Sequence, residues 1–280
     1  MTASATTIPA TRAAPRSPRA ATWAAFAACV VRDLTVLDKN LQRFVPSAVL
    51  QPALLVFVFT YLFPLIGQAV GGEQGAARFS TLLLPGIVAH SIVFAGIFTV
   101  GMNLMLELEA EELEDRVLAP APIATVAVAK IAAGALQAFV AALIVFPVAA
   151  FLPATDVDLQ IDWPVFLTVL PLACVAAASL GLALGTLFEP RSGPLLFSVV
   201  ALPMSFFGAV FYTWDSLEPV PVIQDAVLAN PLLYMSEGLR AATVVGVDHL
   251  SLVAVYGVLA GFAILLAVIG IHGFRRHIVD

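Results

Sequence analysis

Charge and sulfur are scarce in this chain, and the shortage removes whole classes of function. Of 280 residues only 11% are charged, two are cysteine and four are histidine; the only lysines are Lys39 and Lys130. No GxxxxGK[ST] occurs, so the chain cannot hold a nucleotide through a P-loop. No Cys/His set has zinc-ligand spacing, no Ser/His/Asp constellation is present, and no basic patch points to nucleic acid. No catalytic residue, metal site or cofactor site is expected. Cys29 falls in a flanking segment and Cys174 in mid-span, which argues against a disulfide. Residues 12–29 mimic a lipoprotein signal ending in Cys29. The apolar run there is short, and Phe26 stands where leucine is usual.

What is abundant is apolar surface. The chain is 61% hydrophobic, with a mean hydropathy of +1.00, whereas soluble domains sit near about 45–50% apolar. This is an integral membrane protein. Six segments are long enough to cross a hydrocarbon core of ~30 Å, which takes about 20 helical residues: 45–66, 80–105, 123–152, 164–188, 193–213 and 250–272. Their length admits no period-2 alternation, so the expected fold is all-α with six transmembrane helices. Only the third segment carries a charge, Lys130.

Bases set the orientation. Arg12, Arg16, Arg19, Arg32, Lys39 and Arg43 precede the first span, Arg116 and Arg191 fall in the second and fourth connections, and Arg275 and Arg276 follow the last span. Arg78 and Arg240 alone lie opposite. The positive-inside rule puts both termini in the cytoplasm of a multi-pass plasma-membrane protein. Residues 1–19 read as a disordered tail. Residues 20–44 read as an amphipathic interfacial helix with Trp23, Phe26, Val30, Leu34, Leu37, Leu41 and Phe44 on one face. Residues 45–280 form the transmembrane domain.

Three features depart from plain anchoring. Span two carries His90 and Asn103. An intramembrane histidine is either a pathway group or a hydrogen-bonded packing residue between helices. After that span, residues 106–122 hold six acids (Glu107, Glu109, Glu111, Glu112, Glu114, Asp115) against one base, Arg116. Leu106, Ala110, Leu113 and Val117 share a helical face there, so a short cytoplasmic helix is predicted. Its acids either meet bases on a partner or form a solvated face. Most informative is 203–240, an apolar aromatic span that breaks at Trp214-Asp215, passes Pro219 and Pro221, and resumes as a helix ending in Glu237 and Arg240. Irregular backbone at membrane depth survives only where protein or water satisfies it, so a re-entrant extracellular hairpin is predicted.

The order of parts resembles the membrane subunits of type-2 ABC exporters, the permeases of drug-resistance, polysaccharide and glycolipid export systems. The resemblance spans about residues 20–277 and is most specific at Asn230-Pro231-Leu232-Leu233-Tyr234 followed by Glu237-Gly238-Leu239-Arg240. The lead-in Phe207-Gly208-Ala209-Val210-Phe211, then Leu217 and Pro219, is also similar. Two departures stand out. Ala110-Glu111-Glu112-Leu113-Glu114 lacks the family's Gly-Thr, though Leu118-Ala119-Pro120 keeps its closing Leu-x-Pro, and Trp214-Asp215 replaces an apolar hairpin start.

The resemblance implies two permeases, identical or paralogous, and two copies of a cytoplasmic ABC ATPase that carries the ATP and Mg²⁺. It implies ATPase coupling through Glu107, Glu111, Glu112, Glu114, Asp115 and Arg116. It also implies an extracellular gate of Phe207, Phe211, Pro219, Pro221, Asn230, Pro231, Tyr234, Glu237 and Arg240, with His90 and Asn103 as pathway candidates and membrane lipids as neighbours. So little intramembrane charge favours a lipophilic or lipid-linked cargo. The alternatives are an ATP-independent secondary transporter or channel, and a CAAX-type intramembrane protease. Glu111-Glu112-Leu113-Glu114-Asp115-Arg116 fits the latter's EExxxR, but its FxxxH and HxxxN partners are missing.

Overall fold

A computed structural model of the chain describes residues 18–39, 41–68, 72–109, 122–153 and 156–279, and all regular elements among them are helical. Helix α1 is Pro18–Lys39. Helix α2 runs from Leu41–Val56 through a π-helical turn at Phe57–Leu62 to Leu65. Helix α3 runs from Gly72–Gly96 through a second π-turn, Ile97–Met102, to Glu109. Helices α4 and α5 are Ile123–Phe151 and Trp163–Leu187. Helix α6 is assembled from Gly193–Leu195, a π-turn at Leu196–Ala201 and Leu202–Phe206. Two short helices, α7 (Pro221–Ala226) and α8 (Pro231–Thr243), precede the final helix α9, Leu252–Val279.

Five of these are long and apolar enough to cross a membrane: Phe44–Leu65, Gly75–Glu109, Ile123–Phe151, Trp163–Leu187 and Leu252–Arg276. The expected fifth span, 193–213, is different. Its helix stops at Phe206 after pieces of three, six and five residues, about 21 Å at 1.5 Å per residue. The stretch that follows, 207–214, stays apolar but is irregular, because Ala209 takes a left-handed backbone (φ 51°). The predicted tail, 1–19, lies almost wholly outside the described residues, and so does the acidic segment 110–121.

Helix α3 is the centre of the bundle: 89% of its apolar window is buried, against 17% for α2 and for α9. Lipid tails are as apolar as leucine, so helices in a bilayer gain little by hiding hydrophobic surface and associate through close packing instead. The α3–α5 contact is built that way. Gly101 and Gly185 face each other so closely that a Cβ on either would approach the opposing helix's backbone to 2.9 Å. A Cβ on Gly96 or Gly181 would overlap the facing backbone outright. Gly270 and Gly273 let α9 approach α5 at Leu182, Ala183 and Thr186 in the same manner. Several hydroxyls inside the helices are satisfied within their own turn, as in Thr60 to Val56, Ser80 to Ala76 and Thr243 to Leu239.

Gly181→Leu should therefore collapse the yield of folded protein in detergent, since overpacking by this much exceeds the usual cost of ~1–3 kcal/mol. Gly257→Leu on α9, where no atom lies within 4 Å, should leave yield and melting temperature unchanged.

Candidate functional site

When a helix stops among other helices, its last carbonyls and the irregular residues beyond lose their partners, and each buried orphan costs free energy. Between Phe206 and α8 the chain meets this problem repeatedly, and α8 supplies most of the answers. Asn230 accepts from the Leu232 amide (3.0 Å), capping α8, and donates its own amide to the Met204 carbonyl (2.7 Å) of α6. Pro231 occupies the first turn, where no amide is needed. The Tyr234 hydroxyl donates to Leu228 O (3.0 Å), and Ser236 donates to Gly208 O (2.9 Å).

Two residues carry the largest share. Glu237 and Arg240 are 0% and 1% exposed and form the ion pair that their i, i+3 spacing predicts. The Arg240 guanidinium also donates to the carbonyls of Ala209 (3.0 Å), Tyr212 (3.3 Å) and Leu82 (3.4 Å). Leu82 belongs to α3, so Arg240 ties the irregular stretch to the bundle's centre. Glu237 accepts from the Trp214 amide (3.1 Å) and from Leu250 (3.2 Å), just ahead of α9. The pair thus joins four chain segments.

Helix α8 runs antiparallel to α9. Tyr234 packs against Phe262, well along α9, with ring centroids 6.3 Å apart. Further along α8, a Cβ on Gly238 would meet Val255, near the start of α9, at 2.8 Å and Val169 of α5 at 2.9 Å. The last carbonyls of α8 accept from the α4–α5 connection, Gln160 N to Thr243 O (3.0 Å) and Asp162 N to Ala242 O (2.8 Å). Outside this core, Trp214 and Gln224 exchange hydrogen bonds of 3.1 and 3.3 Å that close the hairpin ends.

Residues 24–244 match the ABC-2 type transporter family. The chain belongs to that family. It is a multi-pass membrane permease of ABC-transporter type, as the Asn-Pro…Tyr…Glu…Arg segment implied. No curated protein sequence matches it.

The other sequence-predicted residues of this ABC-2 permease fall in several places. Phe211 belongs to an aromatic cluster with Phe59 of α2 (centroids 5.2 Å) and Phe206 (6.3 Å); Phe59 in turn meets Phe79 of α3 at 6.4 Å. Phe207, Pro219 and Pro221 are exposed, and Pro221 opens α7. His90 is buried against Phe94 (4.2 Å), with Nε2 3.3 Å from the side-chain amide of Gln51 on α2. Asn103 is exposed and bonds the Thr99 carbonyl of its own helix (2.9 Å). Glu107 contacts Lys130 and Arg32. Glu111, Glu112, Glu114, Asp115 and Arg116 lie outside the described residues.

Sequence reasoning missed Ser236, Gln51 and the carbonyl of Leu82. Ser236 sits inside the recognised segment, and its small hydroxyl was the available signal. Gln51 could have been found as a lone amide in an apolar span. Removing one member of a buried ion pair costs about 3–5 kcal/mol, so Arg240→Met or Glu237→Leu should each sharply lower the unfolding midpoint in detergent. The double variant should lose less than the sum. Ala209→Gly, which relieves a left-handed alanine, should be neutral or stabilising by up to about 1 kcal/mol.

Proposed function

We propose that this permease is the membrane half of an ATP-driven exporter that moves a lipophilic or lipid-linked cargo, such as a drug, glycolipid or cell-envelope lipid. Cargo leaves the cytoplasm or the inner leaflet, driven by a separate ATPase. The observation that carries the reading is the family match over 24–244 in a chain with no P-loop. An ABC permease without a nucleotide site of its own requires an engine from elsewhere. ATP and Mg²⁺ belong to that partner, two copies of which serve two permeases.

Cargo class follows from charge. The buried ionic residues among those described are Lys130, Glu237 and Arg240, and each is engaged in an ion pair. Among the described residues no buried charge is left unpaired to recognise an ion or an amino acid. In this reading α6 enters from the cytoplasmic face as a sixth, shortened span. Residues 215–229 then descend from the outside and α8 climbs back beside α9, forming a re-entrant outer plug. Both termini are cytoplasmic, which places the acidic segment after α3 against the ATPase.

The test is reconstitution with an ABC ATPase subunit that co-purifies with this chain. The permease alone should hydrolyse no ATP. The complex should move a fluorescent phospholipid analogue across the liposome bilayer only with ATP, and Glu111→Lys with Glu112→Lys should cut transport per ATP at least about fivefold, the lower end of ordinary coupling energies. Movement of the analogue by the permease without its ATPase would sink the reading in favour of a secondary transporter.

A further inference from the structure

The inner end of the bundle holds an ionic junction that the outer plug does not explain. Lys130 is 8% exposed and is the single charged residue of α4. Its Nζ lies 2.6 Å from Oε2 of Glu107, in the last turns of α3. The other oxygen of that carboxylate, Oε1, lies 3.7 Å from Nη2 of Arg32 on α1, and Arg32 is itself steadied by Asp33 at 2.8 Å. One carboxylate on α3 therefore holds a buried base on α4 and a half-exposed base on α1. By contrast, Arg191 and Glu109 at 3.6 Å are both exposed, the kind of pair that contributes little.

Burying a lysine is costly, and an apolar residue would fill the same space at no desolvation penalty. Packing alone does not account for Lys130. The two kinds of contact differ in what they resist. Apolar surfaces oppose compression but slide past one another, whereas an ion pair in a low-dielectric setting opposes separation with an energy that falls only as the inverse of distance. A contact that must carry a pull as well as a push calls for the second kind.

We propose that Glu107, Lys130 and Arg32 form a transmission joint. Force applied to the chain just beyond α3 is handed at Glu107 to α4 through Lys130 and to α1 through Arg32. The three move as one unit while α2 is left behind. All three are positioning residues, with Lys130 dominant because it is buried and closer. The proposal rests on the ATPase-driven reading above.

The experiment uses the reconstituted permease–ATPase complex with spin labels on cysteines, in a Cys29→Ser, Cys174→Ala background. One pair, Leu106→Cys with Val128→Cys, spans the joint; the other, Leu106→Cys with Leu50→Cys, spans α3 to α2. All three label positions are exposed. Trapping with ATP and vanadate should leave the first distance fixed and shift the second. In Glu107→Gln and in Lys130→Met the first distance should lengthen on trapping. The reversed pair, Glu107→Lys with Lys130→Glu, should hold it fixed again. The apolar pair, Glu107→Leu with Lys130→Met, should recover the melting temperature but not the fixed distance. Should the single variants fail to fold, the reversed and apolar pairs carry the comparison. The joint is refuted if the apolar pair behaves as wild type, if the single variants keep the distance fixed, or if neither distance responds in a wild-type complex that binds and hydrolyses ATP. An ATPase that does not bind the wild-type permease is a different result, refuting the exporter reading and the joint with it.

Discussion

The half of this protein around α8 depends on one guanidinium. A helix that stops within an apolar body strands carbonyls that water cannot reach, and the chain does this at Phe206. Arg240 answers two of them, at Ala209 and Tyr212, and also reaches Leu82 of α3 while pairing with Glu237. Arginine suits the task because its planar fork presents five donors in fixed directions and stays ionised when buried. Nη2 meets all three carbonyls, which leaves Nη1 to pair with Glu237. Glu237 completes the arrangement by neutralising the charge and accepting two amides of its own. With Ser236 bonding Gly208, α8 supplies partners to several backbone groups of the irregular stretch.

The second determinant is how closely backbones approach. Glycines on α3, α5 and α9 remove the side chains that would hold these helices apart, so α3, α5, α8 and α9 make one dense block. Helices α2 and α6 stand outside it. Most of α2 is uncovered. Helix α6 is held near its ends by Asn230 at Met204 and by the fit of Gly193 against Met102.

Much of this was legible from the amino-acid order. Long uncharged runs announce membrane helices because nothing else tolerates them, and the Asn230–Arg240 segment stood out because its polar residues have no reason to sit in an apolar region unless they serve the backbone. The end of α6 was not legible. Residues 207–213 remain apolar, so hydropathy continues the span, while the left-handed turn at Ala209 is imposed by bonds from α8 that no local pattern reveals. Leu82 could not have been named, since its contribution is a carbonyl that every residue possesses. Nothing in the Gly181–Gly185 spacing tells which helix it meets. Glu107 counted as one acid among six, and only the fold brings Lys130 to it.

The shortness of α6 has a consequence for the lipids beside it. Its ~21 Å of helix falls well below the ~30 Å of an average hydrocarbon core, and it ends at exposed Phe206 and Phe207 and irregular chain rather than a continued apolar cylinder. Acyl chains bordering that wall must shorten, tilt or splay to cover it, at a modest penalty for each ångström of mismatch.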